Sequence, residues 1–232
     1  MLERRFGSWT PRFVLRRLMR VETAIEQAVA EAASALPPNA RVLDAGAGEG
    51  RHRSLFEGRR YVGVDLAVGD SAWDYSGLDA VADLSRLPFA DASFDAALNI
   101  VVLEHVRDPQ AVLDEIARIL RPGATLLLIA PQQWEVHQQP HDYFRFTRHG
   151  LELLLSRSGL QPDSIEPVGG FFTLLARRLA ETAKHFQSGS RILLLPLVAL
   201  AVIPAALILP AFDFLDSNKE TTLAYRCIAR KS

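Results

Sequence analysis

Apolar residues recur at steps of four and three through Val14, Leu18, Val21, Ile25, Ala28 and Ala32, which places them along one face of a long helix. Pro37, Pro38 and Asn39 end it. Beyond Asn39 short apolar runs alternate with helical patterns, the mark of a parallel sheet covered on both faces. The runs predict strands at Arg41 to Ala45, Tyr61 to Asp65, Ala80 to Asp83, Phe94 to Ile100 and Thr125 to Ala130, with a sixth at Ser164 to Val168. A helix is expected from Asp108 to Leu120, capped by Asp108, begun by Pro109 and closed by Pro122 and Gly123. A second should follow Thr147 as N-cap and end near Gly159. Strand formers between Thr221 and Ala229 predict a last strand.

Between the first strand and the helix expected after it lies Val42-Leu43-Asp44-Ala45-Gly46-Ala47-Gly48-Glu49-Gly50. Glycines let a backbone turn sharply and approach a ligand, and a helix N-terminus offers free amide donors. Arg51 stands where a dinucleotide-binding turn has its third glycine, which disfavours a nicotinamide-dependent oxidoreductase. Asp65 ends the second strand, where an acidic side chain accepts both hydrogen bonds of a ribose diol. The alternative is a purely structural turn.

The stretches VLDAGAGEG, GVD, LPFADASFD, LEHVRDP and LRPGA follow one another between Arg41 and Pro131. In order and spacing they resemble the class I S-adenosylmethionine-dependent methyltransferases, in particular the group known as methyltransferase type 11. The resemblance implies an α/β, Rossmann-like, doubly wound and mostly parallel seven-stranded sheet whose last strand is antiparallel, with S-adenosylmethionine as cofactor. It implies that Asp44, Gly46, Ala47 and Gly48 surround the methionine portion, and that Asp65 holds the ribose with Leu66 beside it. Asp83 and Leu84 would meet the adenine, and Asn99 and Ile100 would line the floor by the methyl sulfonium. Two departures are Ala124 in place of a second glycine, and a stretch from Leu66 to Leu78 that must cross as a loop. Trp73, in that loop, either covers the pocket or packs.

Because the sulfonium already activates the methyl group, the protein's main task is alignment, and a general base is optional. Candidate bases lie after the fifth strand, in the segment from Trp134 to Thr147: His141 and His137. Their spacing of four suggests a metal on a helix, but Pro140 argues against a helix, so no metal is assigned. His105, within LEHV, reads as helix packing. The segment also loosely resembles one found in methyltransferases of bacterial surface-glycan and glycolipid pathways, which implies a sugar or lipid-linked saccharide acceptor; a quinone or isoprenoid lipid is the second reading. A non-catalytic binding protein is the remaining alternative.

From Ile192 to Phe212 no charged residue occurs, a run long enough to cross about 30 Å of hydrocarbon at about 1.5 Å per residue. Arg177, Arg178, Lys184 and Arg191 precede it and Asp213 and Asp216 follow, which puts the leading side in the cytoplasm. A single crossing would separate the last strand from its sheet. Pro196, Pro204 and Pro210 predict two short arms meeting at a bend, a hairpin inserted from one side. The segment from Phe171 to Phe186 would lead in, with Leu174, Leu175 and Leu179 toward lipid. The domain reading is therefore a basic amphipathic helix over 1–39, then a catalytic domain over 40–232 with an apolar insertion at 171–216.

With 232 residues, 49% of them hydrophobic, the chain has material for one substantial core. Its 26 Lys and Arg nearly balance 27 Asp and Glu, so nucleic acid is not an expected partner. Arg4, Arg5, Arg12, Arg16, Arg17 and Arg20 cluster near the start beside Phe6, Trp9 and Phe13, a pattern suited to a membrane surface. The lone Cys227 excludes an intramolecular disulfide and fits a cytoplasmic protein attached to the inner face of a membrane.

Overall fold

The computed structural model describes residues 20–69, 72–186 and 189–232. The early arginines up to Arg17, with Val14 and Leu18, lie outside the described residues. The described part of the first helix, α1, covers Arg20–Ala35 and buries Val21, Ile25, Ala28, Val29 and Ala33. Seven strands form one sheet: β1 (Arg41–Ala45), β2 (Arg60–Asp65), β3 (Ala80–Val81), β4 (Phe94–Ile100), β5 (Leu120–Pro131), β6 (Leu160–Val168) and β7 (Ala224–Lys231). Their order across the sheet is β3-β2-β1-β4-β5-β7-β6. The pairs joining β1, β2, β3, β4 and β5 are parallel, whereas β7 runs antiparallel to β5, from Thr125 opposite Arg230 to Pro131 opposite Ala224. This is a Rossmann-like, doubly wound α/β fold. Near-continuous apolar runs such as Leu126, Leu127, Leu128 and Ile129 are what a strand covered on both faces requires.

Helix α2 (Pro109–Ile119) starts as expected, with the Asp108 side chain accepting from the Ala111 amide. It stops earlier than expected: Leu120 is already extended and begins β5, so Pro122 and Gly123 lie within the strand's irregular start and do not close the helix. Helix α3 (Arg148–Arg157) is capped by Thr147, whose hydroxyl oxygen accepts from the Gly150 amide. Gly159 follows it at φ +69°, a conformation that suits glycine.

By internal contacts the chain divides into two compact units. One comprises Ile25–Glu166 with Ala224–Ser232 and contains nearly the whole sheet. The other comprises residues up to Ala24 with Pro167–Leu223. This second unit contains α4 (Phe171–Thr182), 3-10 turns at Ala183–Phe186 and Gly189–Leu194, and the apolar α5 (Leu195–Ile208), and a further 3-10 run, Leu209–Leu215, completes the helical stretch Gly189–Leu215. The two separate arms expected around Pro204 are one helix, which continues through it; Pro196 and Pro210 sit in the first turns of their segments. Leu174 is buried and so is not one of a lipid-facing set, and Arg177 is turned inward against Glu22 at 3.2 Å.

Candidate functional site

The carboxyl ends of β1, β2 and β4 come together, the edge at which doubly wound sheets bind ligands. The turn after β1 is fixed by the amides of Gly46 and Ala47, which both donate to the Val64 carbonyl. Gly46 has φ +92°, and a Cβ there would stand 2.3 Å from a methyl of Val102, so only glycine fits. Val102 is brought there by Val101, a β-branched residue at φ +56°, a strained conformation of the sort that clusters at functional sites.

The α-helix expected after the glycine turn is missing: one 3-10 turn, Arg53–Phe56, occupies the space. The connection from Gly46 to Arg59 is too short for a helix once three positive-φ glycines, Gly48, Gly50 and Gly58, have been placed in it. Amide donors therefore come from the turn itself. Asp65 spans it, accepting from the Gly48 amide at 2.9 Å and the Ala67 amide at 2.8 Å. A carboxylate has about four lone-pair sites, so this anchoring leaves capacity for ribose hydroxyls. Among the described residues the crossing from β2 to β3 has no helix, and its Trp73 ring lies 3.3 Å from where a Cβ on Gly48 would be. Leu66 is about half exposed beside it.

Asp44 lies beneath the turn, 1% exposed, and accepts from the Tyr61 hydroxyl at 2.5 Å. Burial pushes its carboxyl up to about 6, against the opposing pull of Tyr61. Asn99 is fully buried, with its side-chain amide donating to the Ala45 carbonyl at 3.0 Å and its Oδ1 without a partner among the described residues. Ile100 and Leu84 are buried, Leu84 within the main core. Asp83 lies beyond the end of β3, which is shorter than expected; it is exposed and accepts from the amide and hydroxyl of Ser85, bonds that hold its carboxyl below the usual range.

The loop after β5 has no helix between Gln132 and Phe146. It folds back over the residues that follow β4: the Tyr143 amide donates to the Glu104 carbonyl at 2.9 Å. Arg145 grips Asp142 with two bonds, of 2.6 and 2.8 Å, and Asp142 is thereby held down at about 2. His137 and His141 do not share a face. His141 Nδ1 meets the Tyr143 hydroxyl at 3.0 Å, while His137 turns inward to His105, whose role is thus contact with His137 and not helix packing. Glu104 and the inward His105 are the site residues that sequence reasoning missed; the signal was LEH directly after a strand of the ligand-binding edge.

The fold and this turn are similar to those of class I S-adenosylmethionine-dependent methyltransferases. Residues 43–128 match the family described as Methyltransferase domain. An uncharacterized methyltransferase of Mycobacterium sp. (strain KMS) is 38% identical over 106 residues, covering 42% of this chain and 42% of that protein. A probable S-adenosylmethionine-dependent methyltransferase of Mycolicibacterium smegmatis is 36% identical over 98 residues, covering 40% and 38%. The chain thus spans about two-fifths of the length of the curated relatives it matches. Among solved structures, geranyl diphosphate C-methyltransferase from Streptomyces coelicolor, in complex with Mg2+, geranyl diphosphate and S-adenosyl-L-homocysteine, superposes with a TM-score of 0.64 at 16% identity, covering 100% of this chain and 88% of that one.

Proposed function

We propose that the protein is an enzyme that transfers the methyl group of S-adenosylmethionine to an oxygen of a glycan or lipid-linked saccharide at the cytoplasmic face of a membrane. The observation that carries the membrane part is the helical stretch Gly189–Leu215, with a mean hydropathy of 2.9 and only 6% of its most apolar window buried. Leu193, Leu200 and Phe214 are each more than 70% exposed. A contiguous apolar surface of this kind is costly in water and fits the edge of a bilayer. The strands on either side of it, β6 and β7, are neighbours in one sheet, which favours entry and exit on the same side over a crossing.

At the acceptor side, His141 is the better of the two candidate bases. Only its Nδ1 is engaged among the described residues, whereas both nitrogens of His137 have partners. An imidazole is the side chain most often used as a general base.

The test is transfer of a labelled methyl group from S-adenosylmethionine into a membrane-containing extract, separated into lipid and aqueous phases, with Asp65→Ala as the inactive control. Label in a saccharide-bearing lipid is the expected result. Label confined to a water-soluble small metabolite overturns the acceptor reading, and label in a quinone or isoprenoid lipid without sugar replaces it by the second one.

A further inference from the structure

Glu104, His105 and His137 converge on one point although they come from different loops. The 3-10 turn Leu103–His105 after β4 supplies the first two, and the loop after β5 supplies the third. The Nε2 atoms of the two histidines stand 3.0 Å apart, with ring planes at 82°. Each ring has its other nitrogen against a carbonyl: His105 Nδ1 is 2.6 Å from the His141 oxygen, and His137 Nδ1 is 2.9 Å from the Glu135 oxygen. A carbonyl only accepts, so both Nδ1 atoms carry a proton. In the neutral rings both Nε2 atoms then present lone pairs to each other, which is repulsive unless a cation lies between them.

The carboxylate adds a second unmet demand. The Glu104 side chain is fully buried, and neither oxygen has a hydrogen-bond partner among the described residues. Its Oε1 lies 3.6 Å from His105 Nε2 and 3.7 Å from His137 Nε2. A dry carboxylate without a donor is costly unless a positive charge meets it.

We propose that Glu104 Oε1 and the Nε2 atoms of His105 and His137 form a binding site for a divalent first-row transition metal of the zinc class. Two ligand atoms at about 2.0 to 2.1 Å from a shared ion are about 2.9 Å apart at a right angle and about 3.4 Å apart at the tetrahedral angle. The separation of the histidine nitrogens falls in this interval, and the carboxylate needs to close by a few tenths of an ångström. Two imidazoles with one carboxylate suit zinc and its neighbours better than magnesium or calcium, which prefer oxygen. The supporting shell is in place: both Nδ1–H groups are held by carbonyls, and Asp142 Oδ2 stands 3.5 Å from His137 Nδ1 while fixed by Arg145. The histidine side chains retain 11% and 21% exposure and Glu104 none, so an ion would have its open positions on the histidine side. The site stands on these contacts and is independent of which acceptor the enzyme uses.

The alternative occupant is a proton shared between the imidazoles. To separate the two, the full chain is stripped with a chelator and titrated with Zn2+ alone, and with Co2+ for its visible absorption. One equivalent of zinc per chain is expected, with affinity falling tenfold or more in Glu104→Gln and His137→Gln and unchanged in His149→Gln, whose ring is exposed. Retained S-adenosylmethionine binding and near-ultraviolet dichroism show that each variant is folded. Absence of stoichiometric uptake by the folded wild type, or equal uptake by folded His137→Gln, overturns the proposal and leaves the shared proton, without bearing on methyl transfer.

Discussion

Asp44 couples the cofactor turn to pH. Its carboxyl is raised in the fold, so its share of stability is intact in acid, declines as pH climbs from about 4 to about 6, and is lost above that. Asp44→Asn, which keeps an acceptor for the Tyr61 hydroxyl, is therefore expected to stabilise the protein by about 1 to 2 kcal/mol at pH 8 and by nothing near pH 4, as read from denaturant midpoints at the two pH values. A gain of equal size at both would show that charge is not the cause. On the proposed function this carboxylate would lie near a cationic cofactor, so S-adenosylmethionine is expected to bind more weakly below pH 6, and Asp44→Asn is expected to remove that dependence. Gly46→Ala sets a methyl group against Val102 at a positive φ. A loss of about 2 to 3 kcal/mol in stability, with cofactor binding abolished, is expected by calorimetry. The sharp turn at Gly46 and Gly48 was legible because it is written in consecutive residues. The trio of Glu104, His105 and His137 was not, since it depends on how two loops meet.

Helix α4 is held at its start by residues from beyond α5. Asp213 accepts from the Gly170 and Thr173 amides and from the Thr173 hydroxyl, and Asp216 accepts from the Phe171 amide at 2.8 Å. These bonds satisfy amide donors that a helix start leaves open. Asp213→Ala should lower the stability of this unit by about 1 to 2 kcal/mol, seen as faster amide exchange over α4 with little change in the β-strands. Uniform acceleration across the protein would show that the two aspartates tie more than α4. At this scale the strands were readable from apolar runs, and α2 and α3 from their caps Asp108 and Thr147. The element after the glycine turn was misjudged, because the alternation of strands and helices supplies a helix there while the chain forms only a 3-10 turn. The continuous course of α5 through Pro204 was misjudged as well, since a proline's cost in a helix is finite and a long apolar neighbourhood bears it.

The chain as a whole combines nearly balanced charge with an apolar stretch that neither charge nor packing covers. Replacing Leu193, Leu197 and Leu200 by serine is expected to leave cofactor binding unchanged and to abolish sedimentation with anionic phospholipid vesicles. Persistence of vesicle binding in that variant would shift attention to the basic start of the chain. The seven-strand order also has a temporal consequence. Thr125 in β5 pairs with Arg230 in β7, so this central ladder closes only after the intervening chain has been made. Until then the edge of β5 is unpaired while the apolar stretch is already exposed, and both are templates for wrong association. Production of the protein should for this reason be limited by the interval between emergence of α5 and arrival of β7, and a chaperone or a nearby bilayer present in that interval should raise the soluble or correctly seated yield.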